Sequence, residues 1–173
     1  MCTHMHGAPD DYFVREASRG DVQQLVDFTV AEAAEAEGRQ LDRSLVERAV
    51  TPSIDDPRLA HYWVVESPDR QIVGAIAVVS EWSDWRNTAY WWIEFVFLLP
   101  EVRGRALLSK LTSELERIGR LHGVPELRLY VHPQNARAIR AYQKLGFVLS
   151  PYRIMAKELP GTTELGTESD QPG

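Results

Sequence analysis

The feature that most constrains the fold is a run of aromatic and aliphatic side chains from Tyr90 to Leu99, interrupted only by Glu94. The run is too short to span a bilayer, and its composition predicts a central strand that is covered on both faces. Pro100 ends the strand, because proline cannot donate to a sheet ladder. The next segment carries leucines and an isoleucine at intervals of three and four, which predicts an amphipathic helix.

The turn between this strand and helix is basic and contains a glycine. The first amides of a helix lack partners and the helix dipole is positive there, so such a turn can bind an anion. Arg103 and Arg105 add charge, and Gly104 lets the backbone approach a ligand closely. An ordinary strand-to-helix connection would have the same composition, so the turn alone leaves both interpretations open.

A second motif follows the helix. Leu127 to Val131 (LRLYV) predicts another strand. The segment NARAIRAYQKLGF that starts at Asn135 predicts a helix to Lys144, with Asn135 as its N-cap and Gly146 at its end. The order strand, RGRALL, helix, LRLYV and N-x-x-A-x-x-x-Y-x-x-L-G-F resembles the acyl-CoA-dependent N-acetyltransferases of the GNAT superfamily. The resemblance covers residues 12 to 158, and the tryptophan-rich hairpin EWSDWRN is similar to a small-molecule subgroup of that superfamily.

The predicted elements follow the order β-α-α-β-β-β-α-β-α-β-β. This order predicts an α/β fold of the mixed α+β type, with a mostly antiparallel sheet and helices on both faces. The second helix is predicted over residues 41–50, and the last two strands are predicted at 147–149 and 153–158. One GNAT acyltransferase domain is expected over residues 11–159, between a flexible N-terminus (1–10) and a disordered C-terminal tail (160–173).

The resemblance implies that acetyl-CoA is the cofactor. Its pantetheine arm would lie where the central strand and the 127–131 strand splay apart. The family's pyrophosphate loop has the pattern Arg/Gln-x-x-Gly-x-Gly/Ala; Arg103 matches it, whereas Ala106 and Leu108 replace its two small residues. The predicted cofactor-binding residues are Val96, Phe97, Leu98, Arg103, Gly104, Arg105, Ala106, Leu107, Leu108 and Asn135.

Amide formation from an amine and a thioester needs a neutral amine, a donor for the oxyanion and a proton for the thiolate. Glu94 is the candidate base, because buried carboxylates are rare without a partner or a task; a substrate anchor or a structural ion pair are its alternative roles. Strand alternation places it on one face with Trp92 and Val96. Tyr142 matches the family's acid tyrosine, although a core aromatic would show the same spacing. The expected oxyanion donor is a backbone N–H near Phe97 or Leu98.

The hairpin that starts at Glu81 supplies the candidate substrate site. Tryptophan faces attract cations and carboxylates pair with ammonium groups, so the hairpin suits a primary amine or a polyamine-like ligand. Cross-strand packing of the tryptophans is an equally good interpretation, with Asp84 and Arg86 as turn ions; Arg86 could instead bind a substrate carboxylate. The predicted substrate-binding residues are Glu81, Trp82, Asp84, Trp85, Trp92 and Glu32, of which Glu32 lies on an acidic helix face that solvent would also explain.

Composition limits the other classes of function. A net charge of −6 argues against a nucleic-acid or anionic-membrane binder. The only cysteine is Cys2, and with His4 and His6 it lies in a terminal segment, so no metal site is predicted. The first residues lack an apolar core segment, so a cytoplasmic location is the default expectation. Dimers are common in the superfamily, which leaves a homodimer open.

The sequence therefore predicts an enzyme, an acyl-CoA N-acetyltransferase. It would move an acetyl group from acetyl-CoA to a small-molecule amine by direct attack in a ternary complex. Because Ala106 and Leu108 depart from the family pattern, two alternatives remain. One is the same fold using another acyl-CoA or a carrier-protein thioester in a specialised biosynthetic pathway. The other is a degenerate, non-catalytic ligand-binding module.

Overall fold

A computed structural model describes Ala8, residues 11–157 and Leu159. The chain falls into two compact units, residues 1–132 and 133–173. The first unit carries a five-stranded sheet and three helices, and the described part of the second carries one helix. Several predicted features lie outside the described residues: the metal candidates Cys2, His4 and His6, most of the N-terminal segment, Glu158 and the C-terminal tail 160–173.

The sheet is mixed and mostly antiparallel, as predicted. Its strands are β1 (Phe13–Glu16), β2 (His61–Glu66), β3 (Ile72–Ser83), β4 (Thr88–Leu98) and β5 (Leu127–Leu129). They lie in the order β1-β2-β3-β4-β5, with antiparallel pairing throughout except for β5, which runs parallel to β4. The apolar run that dominates the sequence is therefore β4, which lies between β3 and β5.

Helices cover both faces of the sheet in the first unit. The α-helices of the described residues are α1 (Val22–Glu37), α2 (Arg43–Asp55), α3 (Leu107–Leu121) and α4 (Ala136–Lys144), the last in the second unit. On one face, Phe28 of α1 packs against Phe97 of β4 with ring centroids 5.0 Å apart. On the other face, Leu111 and Leu115 of α3 are fully buried, and Gly119 lies against the ring of Trp91. This arrangement confirms the predicted fold class.

Two local predictions are wrong. Helix α2 was expected to end at Val50, but it continues through Pro52 to Asp55, because a proline removes only one helical hydrogen bond and the next turn is closed by the N–H of Asp56 bonding to the Pro52 carbonyl. The last two predicted strands are absent from described residues 147–157. Met155 is 97% exposed, and the residues beside it are exposed too. This segment therefore lacks the half-buried face that stabilises a strand.

An ion network fixes the edge strand to the start of α1. The guanidinium of Arg15 in β1 donates to both carboxylate oxygens of Asp21, at 2.8 and 2.9 Å, and to Glu66 of β2 at 2.9 Å. The two carboxylates are only 8% and 10% exposed. The hydrogen bonds from Arg15 lower the pKa of Asp21 and the pKa of Glu66, against the opposing effect of burial. Both groups therefore stabilise the fold when they are ionised.

We expect Arg15→Met to destabilise the protein by about 2 kcal/mol near neutral pH, because it removes charge-assisted bonds to the buried Asp21. A carboxyl whose pKa is lowered by folding adds stability above its unfolded pKa, near ~4, and loses it as the pH falls through the folded pKa. Urea unfolding of parent and variant from neutral to acid pH measures this. The difference between them should shrink below about pH 4.

A matched control is Arg19→Met, because Arg19 makes a bidentate pair with Asp55 but its side chain is 80% exposed. This substitution should leave the free energy of unfolding almost unchanged, since exposed ion pairs contribute little. Equal effects of the two substitutions, or a difference for Arg15→Met that does not depend on pH, would contradict the assignment.

Candidate active site

The register between β3 and β4 shifts by one residue at Glu94. Ala77 pairs with Phe95, whereas the next residue of β3, Val78, pairs with Ile93. Glu94 is therefore the extra residue of a β-bulge. Because paired residues share a face, the bulge moves Trp92 to the face of Phe95. The predicted alternation, with Trp92, Glu94 and Val96 on one face, is wrong for this reason.

Glu94 itself is exposed, which contradicts the expectation that it is buried. It makes no hydrogen bond or ion pair with another described residue. The bulge explains the exposure, because the extra residue of a bulge lies outside the regular pairing of the ladder and its side chain is re-aimed. The carboxylate is therefore free to accept a proton from a ligand or from water.

The edge of β4 beyond the bulge is open. The ladder between β4 and β5 runs only from Trp91 and Leu127 to Ile93 and Leu129. Among the described strands, none pairs with this edge of β4 after Ile93. The N–H of Leu99 donates to Val73 of β3, so by alternation the peptide groups of Val96 and Leu98 point toward the open edge. An extended ligand with amide groups can add to such an edge as a further strand.

Arg103, in the turn after β4, is held inside the protein surface. Its Nε donates to the carbonyl of Leu98 at 2.8 Å, its Nη2 pairs with Glu35 of α1 at 2.7 Å, and its guanidinium lies 5.4 Å from the ring centroid of Phe97. The side chain is 28% exposed. Arg103 therefore joins the turn to β4 and to α1. Its ion pair with Glu35 was not predicted from the sequence.

The predicted substrate residues do not all come together. Glu81 and Trp92 do, because the indole Nε1 of Trp92 donates to the Glu81 carboxylate across the hairpin. Trp82 follows Glu81 in the strand, so it lies on the opposite face, and it is 65% exposed. Asp84 and Trp85 lie in the exposed turn, and Glu32 lies on helix α1.

Arg128 of β5 completes the Glu81–Trp92 cluster, and it was not among the predicted site residues. Its guanidinium carbon lies 3.5 Å from the ring centroid of Tyr90 and 5.5 Å from that of Trp92. Its Nε donates to Glu126 at 3.2 Å, and its Nη1 lies 3.9 Å from Glu81. A charged residue inside the apolar LRLYV strand was the available signal, because a charge there needs a partner.

The described part of the second unit carries the downstream motif. Asn135 caps α4, since its side-chain oxygen accepts a hydrogen bond from the N–H of Ala138 at 3.0 Å. This confirms its predicted role as the N-cap. The ring of Tyr142 makes an edge-to-face contact with Phe147, with centroids 5.6 Å apart. Gly146, at the end of the helix, has φ 89°, a left-handed conformation that favours glycine.

Comparison with known proteins decides the family. The model of the Acetyltransferase (GNAT) family matches residues 23–147, which is well over half of the chain. The protein belongs to this family. A possible acetyltransferase from Clostridium difficile 630 is similar in structure, with a TM-score of 0.81 at 28% identity over 86% of this chain and 97% of that one. No functionally curated protein matches the chain.

Two aminoglycoside acetyltransferases share the GNAT fold with this chain. AAC(6')-Iy, in complex with a CoA-containing bisubstrate analogue, has a TM-score of 0.71 at 14% identity, over 86% of this chain and 98% of that one. The 6'-N-acetyltransferase AAC(6')-Ih from Acinetobacter baumannii has a TM-score of 0.68 at 14% identity, over 87% and 99%. At this identity the likeness shows the fold alone.

The turn before α3 has a left-handed residue at the position where the sequence carries Ala106. Ala106 has φ 59° and ψ 12°, a left-handed conformation that glycine adopts without strain. The helix starts immediately after it, and the N–H of Lys110 donates to the Ala106 carbonyl. The side chain of Leu107 is buried, so only its backbone amide can reach a ligand, and Leu108 is partly exposed. The left-handed residue thus directly precedes the first amides of α3.

The described residues contain neither a candidate metal-ion cluster nor a candidate membrane-spanning helix. No group of three or more histidines, cysteines, aspartates or glutamates there could hold a metal ion. In the same part of the chain, no helix is long and apolar enough to cross a membrane.

We expect Ala106→Gly to stabilise the protein by about 1 kcal/mol, because glycine removes the steric cost of the left-handed conformation. Thermal and urea unfolding measure the effect. The matched control is Ala34→Gly, at an exposed position inside α1. It should destabilise by a similar amount, about 1 kcal/mol, because glycine is a poor helix former. Destabilisation by both substitutions would show that the turn at Ala106 is not strained.

Proposed function

We propose that the protein transfers an acetyl group from acetyl-CoA to the amine of a small molecule, by direct attack in a ternary complex. The observation that carries the proposal is the exposed, unpartnered carboxylate of Glu94 on the bulge of β4, immediately before an open strand edge. A base and a set of backbone donors thus lie next to each other on the central strand, as acyl transfer to an amine requires.

The residues around the edge suit acetyl-CoA, which members of the GNAT family use. The peptide group of Val96 can bond to the amides of an extended pantetheine arm, while the carbonyl of Leu98 is already bonded to Arg103. The first amides of α3, with Gly104 and Arg105 in the turn, would hold the pyrophosphate. The left-handed conformation of the turn at Ala106 favours this donor over a non-catalytic module. When bound, the donor supplies an acetyl group activated as a thioester.

The proposed chemistry assigns one task to each residue. Glu94 accepts the proton of the bound ammonium through a water molecule, which leaves a neutral amine. As the amine nitrogen forms a bond to the acetyl carbon and the carbon–sulfur bond breaks, an N–H at the open edge, such as that of Leu98, donates to the carbonyl oxygen. Tyr142 then gives its proton to the leaving sulfur, the extra proton on the acylated nitrogen returns to Tyr142 through water, and Glu94 releases its proton to solvent. The role of Tyr142 rests on its place in the N-x-x-A-x-x-x-Y motif alone.

A small-molecule acceptor is supported by two observations. The Trp-rich hairpin resembles that of a small-molecule subgroup, and it places Glu81 and Trp92 together on the face that carries Phe95. The fold is also that of an aminoglycoside antibiotic 6'-N-acetyltransferase and of AAC(6')-Iy, which was solved with a bisubstrate analogue of CoA and acetylneamine. A cytoplasmic location is part of the same proposal.

Calorimetric titration with acetyl-CoA tests the donor, with desulfo-CoA and free pantetheine as controls. We expect binding in the micromolar range for both CoA compounds and much weaker binding of pantetheine, because the turn contributes through the pyrophosphate. Equal binding of pantetheine and CoA, or none of either, would favour another thioester donor.

We expect Glu94→Gln to lower kcat/KM for amine acetylation by about 10²-fold or more near neutral pH. The loss should shrink as the pH approaches the pKa of the amine, near ~10, because the amine then loses its proton without a base. Tyr142→Phe should lower kcat with little change in KM. Asp69→Asn, which removes a carboxylate from the exposed β2–β3 turn, is the matched control. Parent-like rates for both Glu94→Gln and Tyr142→Phe would disprove the mechanism.

A second prediction concerns the pair between Arg103 and Glu35. Because the carboxylate of Glu35 neutralises Arg103 beside the anion site, Glu35→Gln should strengthen CoA binding by roughly threefold to tenfold at low salt. The bond from Arg103 to the Leu98 carbonyl would still hold the arginine in place. The control is Glu101→Gln, which removes the same charge from an exposed position nearby in the sequence. Weaker CoA binding by Glu35→Gln alone would instead show that the pair positions the loop.

A further inference from the structure

Arg128 is bound by residues of the types that recognise cationic ligands in other proteins. Two aromatic rings and a carboxylate lie beside its guanidinium, and we call the set of Glu81, Tyr90 and Trp92 the aromatic cage. The guanidinium carbon lies 3.5 Å from the Tyr90 centroid, within the range of a close cation–π contact. Arg128 therefore occupies the position that a ligand cation would take in such a cage.

The surfaces of the cage are already covered. Tyr90 is only 9% exposed, and a second guanidinium, that of Arg86, lies 5.9 Å from its centroid. The ring of Trp92 is stacked on Tyr130 with centroids 4.5 Å apart, and its indole N–H bonds to Glu81. Tyr90 and Trp92 therefore already have ring or cation partners, whereas Tyr130, outside the cage, is 54% exposed.

The charges in the cage are also balanced internally. Arg128 donates to Glu126 and lies 3.9 Å from Glu81, and its side chain is 28% exposed. Both carboxylates are about half exposed, at 53% and 48%, but an incoming cation would share them with the guanidinium and gain less attraction than from unpaired carboxylates. A tethered cation is hard to displace, because it loses little translational freedom when it binds.

We propose that Arg128 is the specificity-determining residue of the acceptor site. It fills the aromatic cage with the protein's own cation and thereby excludes acceptors that carry a second cationic group. This inference rests on the proposed function. It narrows the acceptor class from amines in general to amines without a further positive charge, and it disfavours the polyamine-like ligands that the hairpin sequence suggested.

The test is the binding of methylguanidinium, measured by calorimetry and tryptophan fluorescence without any acyl donor. Arg128→Ala vacates the cage and should bind methylguanidinium at least about tenfold more tightly than the parent protein. Arg86→Ala is the matched binding control, because it removes the same charge from the same tyrosine but leaves Arg128 in the cage. It should behave as the parent does.

The inference is overturned if Arg128→Ala and Arg86→Ala bind methylguanidinium equally, since net charge alone would then explain the result. Near-UV circular dichroism checks that the variants fold, and Arg128→Gln, which also vacates the cage, replaces Arg128→Ala if the latter does not. The parent protein provides a test without substitution. Millimolar or tighter binding of methylguanidinium, with quenching of tryptophan fluorescence, would show that the cage is not filled.

A kinetic measurement separates this inference from the proposed function. If the protein acetylates amines, the ratio of kcat/KM for putrescine to that for butylamine should rise at least about tenfold in Arg128→Ala. An unchanged ratio in an active variant would overturn the inference. If no variant acetylates any amine, the proposed function fails, while the difference in methylguanidinium binding still decides the role of Arg128.

Discussion

The ladder between β3 and β4 is the interaction on which the rest of the first unit depends. The two strands approach so closely at Gly74 that a β-carbon there would lie 2.4 Å from the side chain of Leu98 and 2.8 Å from the carbonyl oxygen of Phe97. Glycine is therefore required at this position. The ladder in turn supplies the rings that α1 and α3 cover from opposite faces, so both helices depend on its register.

The bulge at Glu94 is a change of register that alters which side chains of β4 face each helix. Before it, Trp91 and Ile93 face α3; after it, Phe95 and Phe97 face α1. The residue at the transition belongs to neither packed face, which is why a carboxylate can stand in the middle of an apolar strand without a partner. The same interruption lies where the β4–β5 ladder ends and the open edge begins.

Features with a local signal could be predicted from the sequence. The apolar run of β4, the spacing of leucines in α3 and the capping asparagine of α4 each lie within a few residues, so the strand, the helix and the helix start were correct. The bulge could not be predicted, because alternation assumes a regular ladder. The lone charge of Glu94 was the available hint, and it was interpreted as burial. The prediction of the last two strands was wrong, because exposed apolar residues such as Met155 give the same sequence pattern as a strand.

Partners that are distant in sequence were also beyond prediction. Arg103 and Glu35 are 68 residues apart, and Arg15 and Glu66 are 51 apart. Such pairs depend on tertiary packing, and nothing in either segment alone specifies the other. The motif predicted Arg103 as a cofactor-binding residue, and its side chain bonds to β4 and to α1.

The arginines of the candidate site share one electrostatic arrangement. Arg103 is balanced by Glu35, and Arg128 by Glu126 with Glu81 nearby, so neither presents an unbalanced charge to solvent. A charged ligand that engages either guanidinium must replace an internal partner, and its net gain is the difference between two ion pairs rather than one full pair. Salt screens the partly exposed internal pair as well as the new one. Recognition at these positions should therefore depend more on shape and hydrogen-bond geometry than on net charge.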